Sequence, residues 1–178
     1  MSTRQLKAFS EKGNHEVGSL NSLKIKTVAH GAVVVGADVD NFTLVELGFN
    51  AEGRRTAKQL AAKGNKAYLI AAPETRYLGE EMVDFYNAVG DDARIVILEA
   101  AYTRFDTSAF TKNTGVTEIA KGQVAHFDVA TKKYIVSAAG SAHADYATSS
   151  AQFLVVSNEE DMEYTLGKAT IRLEVIKA

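Results

Sequence analysis

Apolar residues in this chain come in short runs separated by polar turns, which is the pattern of a β protein. The clearest case is 121–137, KGQVAHFDVATKKYIVS. Val124, Phe127, Tyr134 and Val136 are its packing positions and Ala130-Thr131-Lys132-Lys133 its polar turn, so two paired strands are predicted. Gly122 suits a tight entry with positive φ. Upstream, 23–28 alternates and 32–35 is continuously apolar. A strand over 42–47 follows the turn residues Asp38-Val39-Asp40-Asn41. Residues 66–72, KAYLIAA, read as a buried strand ended by Pro73, and 94–100, RIVILEA, as the most apolar strand. Downstream of the hairpin come a small-residue loop at 138–150, a strand at 152–156, an acidic turn at 157–163 and a final strand at 170–176. Met82, Phe85, Tyr86 and Val89 recur at helical spacing, which predicts a short helix over 78–89. The polar excursion 50–65 fits either one helical turn at 57–62 or a loop.

The fold class expected from this pattern is mostly β, built from small β-barrel or β-tulip-like units with one or two short helices. The halves match in order, which predicts a tandem duplication. Segment 29–47 echoes the hairpin, with Gly31 standing for Gly122, Val33 for Val124 and Phe42 for Tyr134. Tyr68 then matches Phe153, and Ile95 matches Ile171. The expected organisation is a flexible N-terminal arm at 1–21, a first β unit at 22–101, a linker at 102–119 and a second β unit at 120–178. The two units can also pack as one pseudo-symmetric domain. The linker assignment rests on the Thr, Ser and Asn content of 102–117. Val33, Val35, Leu44, Leu69, Ile95 and Ile97 are expected in the first core, and Val124, Phe127, Tyr134, Leu154, Ile171 and Leu173 in the second. The arm is polar but carries Leu6, Phe9 and Val17, enough for anchoring contacts on a partner, with Phe9 the principal one.

Composition narrows the function classes. The 178 residues are 46 % hydrophobic and 24 % charged, the balance of an ordinary globular chain. A formal charge of −2 gives no general attraction to nucleic acid or to an anionic membrane. There is no cysteine, so disulfides and thiolate metal sites are excluded. The first twenty residues lack the apolar core of a signal peptide, so folding in a cytoplasm is expected.

The search for chemistry returns little. GxSxG, Walker and GxGxxG motifs are absent. The four histidines, His15, His30, His126 and His143, are spread along the chain. His126 and Asp128 share a strand face, but no further ligand is evident beside them, and metal sites need one. Asp38, Asp40, Asp91 and Asp92 fit no calcium loop, and Glu80-Glu81 and Glu159-Glu160-Asp161 read as solvated turns. No catalytic residue, metal or cofactor is therefore expected. The basic cluster Arg54, Arg55, Lys58 and Lys63 lacks interleaved aromatics, which argues against a nucleic-acid groove and for an acidic protein partner. Among Tyr77, Tyr86, Tyr102, Phe105 and Phe110, one or two exposed rings would serve as interface anchors.

Gly122-Gln123-Val124, Phe127-Asp128, Lys133-Tyr134 and the strand at 170–176 together resemble the head decoration, or cement, proteins of tailed phages. The sequence departs from the small lambda-like pattern in its doubled length and its single proline. The resemblance implies a non-enzymatic virion protein on the capsid exterior, bound to the major capsid protein. By the same analogy it implies a homo-oligomer, a trimer ahead of a single chain. The capsid-contact candidates are Leu6, Phe9, Val17, Arg54, Arg55 and Lys58. Two other classes stay open. One is a different virion β module, from the tail, the baseplate or a carbohydrate-binding adhesin. The other is a small enzyme or metal protein.

Overall fold

The computed structural model describes residues 20, 22, 24–74, 85–157, 164–165 and 168–178. Within them all regular structure is strand. The first half supplies β1 (Ala32–Val34), β2 (Leu44–Phe49), β3 (Arg55–Gln59), β4 (Tyr68–Ile70), β5 (Asp92–Ala93) and β6 (Ile95–Val96). The second supplies β7 (Arg104–Thr107), β8 (Phe110–Lys112), β9 (Val124–Asp128), β10 (Lys133–Ser137) and β11 (Gln152–Val155). A short ribbon of β12 (Tyr164–Thr165) and β13 (Lys168–Ala169) precedes the last strand, β14 (Ile171–Lys177).

Each half makes one sheet of six strands, in the orders β5-β1-β3-β2-β4-β6 and β7-β14-β11-β9-β10-β8. Strict alternation along the second sheet sends Phe105, Ala125, Phe127, Tyr134, Val136, Phe153, Val155, Ile171, Leu173 and Val175 to one face. That face packs on Phe42, Leu44, Leu69, Ala71, Val96 and Leu98 of the first half, so the two sheets share a core. The first sheet is buried on both sides. Its far face, with Val34, Val45, Ala57, Ile70 and Ile95, is closed by Val39 and Phe85. The second sheet instead turns a polar face outward. There the directly opposed pairs Arg104–Glu174 and Arg172–Asp106 are ion pairs between β7 and β14.

Pairing explains which expectations fail. Val33, Val35, Ile97 and Leu154 are half-buried rather than core. Leu154 lies between the buried Phe153 and Val155 and so points to the outer face. The polar excursion contains β3, which pairs with both β1 and β2. The stretch expected to link two units, 102–119, holds β7 and β8 of the second sheet and buries Phe105, Thr107, Ala109 and Ile119. Thr-rich sequence reads as loop by composition, yet Thr is β-branched and suits a strand. The helix over 78–89 lies largely outside the described residues. Its last part, 85–89, is not helical: Asn87 is bridged to Val39 and Val89 lies in a turn. The arm likewise lies outside the described residues, except Leu20, which bridges to Phe105.

The expected repeat is present in the topology but displaced by one hairpin. Gly31 leads into β1, which runs parallel to β3 and antiparallel to β5. Gly122 leads into β9, which lies antiparallel between β10 and β11. Those places are not equivalent, so the alignment through the two glycines is overturned. Counting residues 26–28, which bond to β6 through the Thr27–Val96 bridge, restores the match. Both sheets then run first, sixth, fifth, third, fourth, second along the sheet. In both, the fourth and second strands are the parallel pair and every other pair in this set is antiparallel. The true counterpart of the β9–β10 hairpin is therefore β2–β3. β5 is an addition at the edge of the first sheet.

Candidate functional site

The β2–β3 hairpin carries the most exposed large apolar side chain among the described residues, Phe49, at 66 %. Its turn is fixed by Asn50, whose side-chain oxygen accepts the N–H groups of Glu52 (3.1 Å) and Arg54 (2.8 Å). Phe49 and Arg55 are directly opposed in register, and the Arg55 guanidinium lies 4.8 Å from the ring centroid. Arg54 reaches across to Asp92 of β5 at 2.9 Å. Two clefts, of about 300 and 440 Å³, are both bordered by Phe49 and Arg55. An aromatic ring beside arginine, held on a paired hairpin, has the composition of a protein-contact hot spot.

Of the basic residues singled out from sequence, Arg54 and Arg55 come together here. Lys58 faces the other way and binds Glu46 at 2.9 Å, and Lys63 binds Asp145. Leu6, Phe9 and Val17 lie outside the described residues, as does Tyr77. Tyr86 and Phe105 are buried, Phe110 is half-buried, and Tyr102 is exposed beside a cleft formed with Ile25 and Glu99. Phe49 escaped sequence reading because it ends an apolar strand and looks like one more core position.

Glu46 gives a pH expectation. The Asn65 amide and then the Lys58 ammonium hold its carboxyl below the ordinary range near 4.5. A depressed carboxylate contributes stability above its unfolded value and loses it as pH falls through the folded one. Wild type should therefore lose more stability than Glu46→Gln on passing from neutral pH to the acid side of 4.5, measured as urea midpoints.

A second cluster lies on the outer face of the second sheet. His126, in the middle of β9, is 1 % exposed, covered by the loop between β10 and β11. His143 of that loop stacks on it at 5.1 Å between ring centroids, and the Tyr146 ring meets it edge-on at 6.3 Å. Asp145 follows, its N–H donating to His143 Nδ1 at 3.2 Å and its carboxylate bound by Lys63. Burial, then the neighbouring His143, lowers the His126 pKa, so the ring is neutral. Asp128, paired with His126 in the sequence reading, instead caps the hairpin turn by accepting from Ala130, Thr131 N–H and the Thr131 hydroxyl. The aromatic–Asp element of the phage-protein resemblance is thus a turn-forming device in this chain.

A family of known proteins, the YonC prophage proteins, matches residues 11–176. The chain belongs to this family. The YonC match crosses both sheets, so Phe49, Arg55, His126, His143 and Asp145 all fall within it. The SPbeta prophage-derived protein YonC of Bacillus subtilis (strain 168) is 68 % identical over 178 residues, covering 100 % of each chain. No solved structure matches. A prophage family places the chain's origin in a phage genome, which the sequence resemblance had also implied.

Proposed function

We propose that this YonC-family chain is a non-enzymatic structural protein of the phage particle, docked on the outside of the major capsid protein as a decoration protein. The observation that carries the reading is the exposed Phe49 ring, backed by the half-buried Arg55 on a paired hairpin of a prophage-family β protein. A decoration protein needs a surface anchor and a stable scaffold, and it needs no catalytic group. Binding only to the assembled shell raises shell stability by mass action. Three copies around a lattice junction remain the favoured stoichiometry, by analogy with lambda-like cement proteins.

The test uses particles from an induced lysogen lacking the gene, mixed with purified protein and sedimented. Wild-type protein should co-sediment with heads and delay their rupture on heating. Phe49→Ala and Arg55→Ala should each weaken binding by roughly thirtyfold, as loss of a hot-spot residue does, without lowering the melting temperature of the free protein. Binding to tails rather than heads would assign a tail or baseplate module. No binding to either would end the virion reading.

A further inference from the structure

His126 is buried yet neither of its ring nitrogens has a hydrogen-bond partner. Buried polar groups are nearly always satisfied, and a neutral imidazole has one lone pair to place and one N–H to donate. The groups around it are ligands. His143 and Asp145 offer a second imidazole and a carboxylate, and the three donor atoms lie within 4.8 Å of one another. We propose that His126, His143 and Asp145 bind one divalent transition-metal ion, zinc above all, with water completing the coordination.

The donor set selects the metal. Calcium and magnesium seek six or more oxygens, whereas two imidazoles and one carboxylate suit zinc and its first-row neighbours. Around a tetrahedral zinc with bonds near 2.0–2.1 Å, donor atoms sit about 3.3 Å apart, so the cluster must close by about 1.5 Å at most. Two of the three ligands sit on the surface loop, where side-chain rotation supplies that movement. His143 exchanges a weak 3.2 Å bond from the Asp145 N–H for the ion. The ammonium of Lys63 now neutralises Asp145, and it is the ion's competitor. That side chain is 42 % exposed and can turn into water. Meanwhile the Ser150 N–H to Lys63 carbonyl bond, at 2.7 Å, keeps the loop anchored to the first half. Bound metal staples the β10–β11 loop to the middle strand of the outer face.

The experiment uses full-length, tag-free, chelator-stripped protein titrated with zinc chloride, read by calorimetry and by melting temperature. Wild type should take up one ion per chain and melt at a temperature that rises with zinc concentration. His126 is buried in the middle of β9, so the substitutions are confined to the loop and its partner. His143→Ala and Asp145→Asn should each weaken binding by about tenfold or more. Lys63→Met should tighten it, since a competing cation is gone. Replacing His15 and His30 together by alanine should leave it unchanged. Absence of stoichiometric zinc binding by wild type would overturn the proposal, and so would full affinity in His143→Ala or its loss with His15 and His30.

Discussion

Replacing Tyr134 by alanine is expected to cost about 3–5 kcal/mol, the range for deleting a buried aromatic ring. Tyr134 is fully buried and its ring lies 5.7 Å from Phe105, 5.2 Å from Phe127 and 5.2 Å from Phe153. It also crosses between the halves, because its O–H donates to the Phe42 carbonyl at 3.1 Å. Burial pushes the phenol pKa well up, so that donor persists into alkaline solution. Phe42 itself holds a φ of 56°, a conformation that costs a non-glycine residue energy and must be held by its surroundings. Tyr134→Phe keeps the ring and strips only the donor, so it should cost about 1–2 kcal/mol. Urea unfolding measures both. Since a domain's whole stability is about 5–15 kcal/mol, the alanine variant should lose a large part of it, in a single transition. Hydrogen exchange adds the decisive control. If Tyr134→Ala exposes amides of the second sheet while the first stays fully protected, the shared core is not a cooperative unit.

That bond shows how far the sequence could be read. Phe42 and Tyr134 resemble one another in context, and matching by context made them equivalents; in the fold they are partners. Local signals carried well wherever alternation was clean, as in β10 and β14, because period-two burial is written residue by residue. They failed at β3, β7 and β8, where Arg, Lys, Gln and Thr dominate and strand character comes from the neighbours each strand finds. The repeat was visible in kind but not in register. Short apolar runs match one another by composition, whereas strand order depends on pairings far apart in sequence. The histidine cluster is non-local for the same reason. His126 stands on a strand, its companions stand on a loop of small residues, and nothing in the intervening sequence announces that the loop folds back over β9. Arg54 and Arg55 were legible as a charge cluster. Their aromatic companion was not.

Gly31 and Gly122 look alike in sequence, and substitution should separate them sharply. Both have positive φ, 63° and 88°. A Cβ added at Gly122 would meet nothing within 4 Å, so Gly122→Ala should cost about 1–2 kcal/mol, the penalty for a left-handed backbone alone. At Gly31 the same carbon would lie 2.3 Å from the Ala93 carbonyl oxygen. Neither backbone can step aside cheaply, because the adjacent residue Ala32 is paired with Ala93 between β1 and β5. Gly31→Ala should therefore add a steric cost of about 1–3 kcal/mol to the conformational one, about 2–5 kcal/mol in all. For a chain of this size that difference separates the two melting temperatures by about 2–12 °C. The Gly31 variant should also loosen β5 first, since opening the β1–β5 pair is the least costly way to relieve the clash. Equal melting temperatures for the two variants would mean that the close approach of β5 to Gly31 does not hold in solution. A large separation would confirm that the two glycines, though each opens a strand, serve different joints of the repeated sheet.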